Sequence, residues 1–298
     1  MLTLFAMPKP FEGHIGIIQR NAVTSWTRLT PRPEIILFGN EAGTAEIAAE
    51  LGLRHVRDIQ RNEKNTPFLN DLFDQAQTLA QNPIVSYVNA DIILFDNFIE
   101  SARRVAAWKP KFLMAGRRWD IDITTPLDFS APDWAARLRR DVAQRAKRRS
   151  VSWIDYFVFP RGMYREVPPL LIGRVWWDNW LVWQALALGA PVVDTSPRVL
   201  AVHQNHAYAH PGGFFGIWQS EEGQWNERLV ESGLRARTLR DANYKLGRFG
   251  IRPNVEAAVE RWWKSLRPRK KPTPHGASTA APSVVAQVPG ARTSRDDT

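Results

Sequence analysis

The sequence predicts an α/β protein in which a sheet carries helices on its faces. Strand-like and helix-like stretches alternate through the first 100 residues, and a β-branched apolar run at 84–88 ends abruptly in polar residues. The chain has 298 residues, of which 44% are hydrophobic and 23% charged, enough to bury one full core.

Leu2 to Met7 reads as the opening strand. Gly13 to Arg28, with Ile17, Ile18 and Val23, reads as a helix, and Pro31 and Pro33 separate it from a strand over 34–38. Gly39-Asn40 turns the chain. Thr44 is the expected N-cap of a helix through Leu51, with Gly52 closing it. A further helix is expected from Pro67 to Gln81, where Phe68, Leu69, Leu72, Phe73, Ala76, Leu79 and Ala80 recur at helical spacing. Pro83 ends it, and Ile84 to Val88 has the composition of a buried central strand. Phe112 to Ala115 and Val151 to Phe159 read as strands, with a functional loop and a helix between them. Asp178 to Leu188 reads as a helix closed by Gly189-Ala190-Pro191, and Arg198 to His203 as the last strand. Helices are expected around 221–233 and 254–266.

No apolar stretch reaches the roughly 20 residues of a membrane-spanning helix. No signal peptide is readable, so a cytoplasmic location is expected. Cysteine is absent, so any metal must be held by carboxylate, imidazole or amide, which points to a hard cation. The net charge of +10 ordinarily suggests a polyanion partner. Its placement argues otherwise: from Lys264 to Thr298 there are seven Lys/Arg against two Asp, in a Pro/Ala/Ser-rich tail. A second basic cluster, Arg137 to Arg149, reads either as a solvated segment or as a surface meeting phosphates or lipid heads. Nucleic acid is not an expected partner, whereas peripheral contact with the inner face of a membrane through these basic segments is.

Four sets of residues are able to carry chemistry. Asn89-Ala90-Asp91 follows the central strand, and ligands of open α/β sheets bind beyond the carboxyl ends of strands. Asp91 either caps a turn or holds a ligand. Asp178, after Trp176-Trp177, is an N-cap or a general base whose proton affinity is raised by apolar walls. Among His203, Gln204, Asn205 and His206, with Tyr208 and His210 beyond, strand geometry would point His203 and His206 apart. One histidine ligand is therefore expected, unless the chain leaves strand geometry between them. Arg117 and Arg118 either pair with a diphosphate or with Asp120 and Asp122. Trp153, Trp176 and Trp177 are core residues or platforms for sugar rings.

In this order, over residues 1 to about 215, the motifs "VNADIIL", "WIDYFVFPRGMY" and "WWDNWLVW" resemble the GT-A nucleotide-sugar glycosyltransferases, family 2-like members in particular. The resemblance implies a Rossmann-like mixed sheet flanked by helices: a transferase domain over 1–218, a helical extension over 219–266 and a disordered basic tail over 267–298. It further implies transfer of a sugar, with inversion, from a nucleotide-diphosphate sugar to a hydroxyl of a glycan, lipid or small-molecule acceptor, with Mn²⁺ or Mg²⁺ as cofactor. By that likeness Asn89 and Asp91 correspond to the metal- and diphosphate-binding DxD element, with Thr66, Arg117 and Arg118 also at the donor. Asp178 corresponds to the acidic residue that acts as catalytic base, Asp155 to a second candidate, and His203 or His206 to the late metal ligand beside Asp91. Asn89 departs from the pattern by lacking a charge, and Trp177-Asp178 replaces a Glu-Asp pair. Two rival readings remain: a nucleotidyltransferase, which usually shows a Gly-rich loop that Met7-Pro8-Lys9-Pro10 lacks, and a basic polyanion-binding or inactive transferase-like protein.

Overall fold

A computed structural model describes residues 1–206 and 213–265. Tyr208, His210 and the expected tail at 267–298 lie outside the described residues. Of the first strands, β1 (Leu2–Ala6), β2 (Glu34–Phe38) and β4 (Ile84–Val88) form where apolar, β-branched and aromatic residues run together, while the short β3 (Arg54–Val56) lies at the end of the strand order. Between them lie α1 (Gly13–Thr27), α2 (Thr44–Leu51) and α3 (Leu69–Leu79). Then follow β5 (Ile92–Ile93), α4 (Asp96–Trp108), β6 (Leu113–Ile121), α5 (Trp134–Arg145), β7 (Lys147–Arg148) and β8 (Ile154–Pro160). After α6 (Trp177–Ala187) come β9 (Val192–Asp194), β10 (Ala201–Gln204), α7 (Gly213–Gln219) and α8 (Glu221–Leu229). A hairpin of β11 (Tyr244–Gly247) and β12 (Gly250–Pro253) leads into α9 (Val255–Ser265).

The strands join in the order β12-β11-β9-β6-β8-β4-β1-β2-β3, and β10 pairs with both β5 and β6. Pairing is parallel from β3 to β4 and antiparallel where β8 sits between β4 and β6, so the sheet is mixed, as expected. Alternation along β1 divides the core: Leu2, Leu4 and Ala6 face the layer of Val23, Trp26 and Phe98, from α1 and α4, while Phe5 faces Phe73, Phe159 and Trp177. The second layer is aromatic, with Phe5 and Phe73 edge to face at 5.3 Å and Phe73 stacked on Phe159 at 5.6 Å.

Several local expectations are corrected. Gly43, in the left-handed region at φ 83, precedes α2, and Thr44 is its first residue rather than its cap. The helix α3 starts at Leu69, because Pro67 bridges to Arg61 in extended form. Strand β6 runs six residues beyond Ala115, so Arg117-Arg118 and Asp120 belong to a strand and not to the loop after it. Asp178 lies inside the first turn of α6, behind Trp176, which takes φ 79. Finally, β10 is not the last strand, and the 219–266 segment is not purely helical: β11 pairs in parallel with β9 and extends the same sheet.

Candidate functional site

The polar residues released where β4 ends form a tight turn, with Ile92 N donating to Asn89 O at 3.1 Å. Asp91 therefore does occupy a turn, but its carboxylate points to histidines. Strand β10 is wedged beside β5 and β6 so that His203 pairs with Ile92 on one side and Asp120 on the other. That register places His203 Nε2 3.5 Å from Asp91 Oδ2 and Nδ1 3.3 Å from Asp120 Oδ1. Because β10 stops at Gln204, the next two residues are free of the strand's alternation. His206 Nε2 thus also reaches Asp91 Oδ2, at 3.1 Å. The expectation of one histidine beside Asp91 is corrected to two.

The ligand-capable atoms of Asp91, His203 and His206 lie within 4.8 Å of one another. Asp91 Oδ1 is buried without a hydrogen-bond partner. A buried carboxylate oxygen left bare beside two imidazoles is costly, and a divalent cation satisfies all three donors. The residues fit such an ion. Gln204, fully buried, secures the turn from beneath by donating to Asp91 O at 3.1 Å and Ile18 O at 2.7 Å while accepting from Asn21.

Electrostatics follow this packing. Burial opposes charge on both partners, yet the adjacent histidines hold Asp91 well below the usual carboxylate range. Burial likewise disfavours imidazolium at His203, but Asp91 and then Asp120 outweigh it and push its pKa up to about 9. A cation taking His203 as a ligand would therefore compete with a proton for the ring nitrogen.

Behind the cluster runs a charged lattice. Arg118, buried, donates from Nε to Asp120 at 2.8 Å and from Nη1 to Asp155 Oδ1 at 2.9 Å. Asn89 Nδ2 donates to the same Asp155 oxygen at 2.6 Å, and Asn89 N to Asp155 O at 2.9 Å. An aspartate at position 89 would bring two carboxylates together, whereas asparagine donates. Trp153 presents its ring to two guanidiniums, Arg118 at 4.6 Å and Arg149 at 4.2 Å. Over these groups opens a cavity of about 280 Å³ lined by Arg118, Asp120, Arg149, Trp153, His203, Asn205 and His206.

Asp178 is half-buried and does not line that cavity, although it feels the charges of Asp155 and Arg118. Burial raises its pKa to about 7. Two further candidates are placed elsewhere. Arg117, next to Arg118 on the strand, does not line the cavity, and its backbone N donates to Ser196 Oγ. Thr66 receives Arg174 Nη2 at 3.1 Å, and Arg174 is clamped by Glu222 of α8. Trp177 is core, edge to face with Tyr87 at 5.2 Å. The pairing of Arg118 with Asp120 is one of the two expected arrangements, whereas the approach of Asp120 to His203 and the support of the Asp91 turn by Gln204 were not foreseen. Only the run of polar residues inside β10 and β6 hinted at them.

No protein family model matches the chain, and no curated protein does either. Among solved structures, the chain is similar to S. aureus TarS 1-349 in complex with UDP-GlcNAc, at 12% identity and TM-score 0.47, covering 78% of this chain and 72% of that one. A longer S. aureus TarS gives 10% identity and the same TM-score, with 43% of that chain covered. It is also similar to glucosyl-3-phosphoglycerate synthase from Mycobacterium tuberculosis in complex with Mn²⁺, UDP and glucosyl-3-phosphoglycerate. There the identity is 13%, the TM-score 0.45, and the coverage 78% of this chain and 79% of that one. At such scores these are likenesses of outline.

Proposed function

We propose that this chain is a metal-dependent glycosyltransferase that moves a sugar from a nucleotide-diphosphate donor to an acceptor hydroxyl with inversion. The observation that carries the reading is the meeting of Asp91, His203 and His206 at the carboxyl end of the central strand, where open α/β sheets bind ligands. A cation bound there supplies positive charge that stabilises the departing nucleoside diphosphate. Two imidazoles and one carboxylate suit Mn²⁺ better than Mg²⁺, which prefers all-oxygen shells.

The remaining chemistry belongs to the chain. Asp178, with its pKa near neutrality, is matched to removing a proton from the attacking hydroxyl. Attack by that hydroxyl on the anomeric carbon from the side opposite the leaving group inverts the centre. Asp155 is engaged by Arg118 and Asn89, which suits it to holding the lattice rather than to moving a proton. Arg118 and Arg149 give the cavity fixed positive charge beside the diphosphate position, backed by Trp153. Arg117 and Thr66 would act at the donor only from outside this cavity.

The test is thermal stabilisation by a panel of nucleotide sugars with and without Mn²⁺. At least one donor should raise the melting temperature in Mn²⁺, and Asp91→Ala should erase the rise. If no donor produces a shift that depends on Asp91, the reading fails.

A further inference from the structure

The strongest unexplained surface lies at the end of the described chain, far in sequence from the candidate site. Among the described side chains of helix α9, the small Ala257 is buried, while Val255, Val259 and Trp263 are 65%, 48% and 58% exposed. These three recur every four residues and therefore follow one side of the helix. Asn254, buried at the helix start, donates to Ala242 O and holds this arrangement in place. The adjoining β11–β12 hairpin ends in Phe249, 78% exposed, with the guanidinium carbons of Arg248 and Arg252 5.7 and 5.6 Å from its ring. Among the described residues, eight large apolar side chains are exposed, and four of them fall between 249 and 263. Scattered exposure is ordinary, but this concentration is not.

Charge converges on the same stretch. Along the hairpin and helix, from Lys245 to Ser265, the sequence has five Lys/Arg against Glu256 and Glu260, a net +3 in 21 residues, with Lys245 paired to Glu256 at 2.8 Å. The other basic cluster is largely neutralised or engaged: Arg137 pairs with Asp133, Arg145 with Asp141 and Arg149 with Asp120, and Arg139 lies over Phe95 at 4.3 Å.

We infer that the β11–β12 hairpin and α9 form a docking surface for an anionic lipid bilayer, with Phe249, Val255 and Val259 entering the interface and the surrounding Lys and Arg meeting the headgroups. Exposed aliphatic and aromatic side chains framed by cations match an interface that is apolar below and negatively charged above. A nucleic acid would answer the cations, but it offers nothing that rewards exposing a valine stripe. The inference is independent of the transferase reading.

Co-sedimentation of the full chain with vesicles tests it. Binding is expected to phosphatidylcholine vesicles containing about one-third phosphatidylglycerol, to be weak with phosphatidylcholine alone, and to fall in high salt. Phe249→Glu and Val259→Glu, both at exposed positions, should each lower partitioning by about tenfold or more while circular dichroism stays unchanged. Failure to sediment with the anionic vesicles would overturn the inference. So would partitioning that both substitutions leave at the wild-type level, or a DNA duplex that binds the same surface and displaces the vesicles.

Discussion

Asp120 stands 3.3 Å from His203 Nδ1, the ring nitrogen not directed at Asp91. A carboxylate in that place fixes the ring and raises the basicity of the other nitrogen. Asp120→Asn should therefore weaken Mn²⁺ binding by about ten- to a hundredfold, read by titration calorimetry or by the electron paramagnetic resonance of the free ion. Asp91→Ala should cost more, since it removes a ligand candidate outright. Equal Mn²⁺ affinity in Asp120→Asn and the wild type would show that Asp120 does not support the site.

Asp178 has a folded-state pKa raised to about 7, against an ordinary value of 3.8. The folded chain thus holds this proton more tightly than the unfolded chain, so its contribution to stability declines as pH rises from about 4 to 7. Transfer needs the ionised form and should rise with pH through about 7. Asp178→Asn should lower turnover by about 10²- to 10⁴-fold, flatten that limb in the activity that remains and leave donor-induced stabilisation intact. A pH profile unchanged in the variant's residual activity would remove Asp178 from the role of base.

Asn89→Asp exchanges a donor to Asp155 for a second carboxylate. Loss of a hydrogen bond to a charged group costs about 1.5–3 kcal/mol, and repulsion adds to it. Urea unfolding should report a loss in that range, larger at pH 8 than at pH 5, where one carboxyl can take up a proton. A variant as stable as the wild type at pH 8 would mean that the Asn89–Asp155 contact is not formed in solution.

Gly116 of β6 leaves no room for a side chain: a Cβ there would lie 2.0 Å from Tyr156 Oη and 3.1 Å from Ser196 N. Tyr156 Oη is itself bonded to Thr195 Oγ1 at 2.8 Å. Gly116→Ala should therefore cost about 1–3 kcal/mol and disturb the strand that delivers Arg118 and Asp120, lowering both the melting temperature and Mn²⁺ affinity. Tyr156→Phe in the same background should recover part of the stability by removing the clashing oxygen.

Apolar periodicity made the buried half of the fold legible. Strands β2 and β4 begin and end where the runs Glu34–Phe38 and Ile84–Val88 do, because their β-branched and aromatic residues have no other stable burial. Strand β6 was readable only to Ala115, since Arg118 and Asp120 look like loop residues until Asp155 and His203 are seen to neutralise them. Asp91 and the late histidines were visible as types, but their meeting depends on β10 pairing with β5, a contact without a local signature. A raised pKa at Asp178 was one of two readings open from its Trp-rich surroundings, the other being a helix cap, whereas Gln204's support of the Asp91 turn needed the full fold.

The wedged position of β10 also bears on how the chain holds together. Asp91 and the two histidines belong to segments separated by about 110 residues, so an ion shared among them would act as a removable cross-link across a long loop. Its tightening effect would be set by ambient metal and pH instead of by covalent chemistry, in a chain that has no cysteine with which to make a permanent one. Metal supply would then govern how long the folded chain survives as well as whether it works.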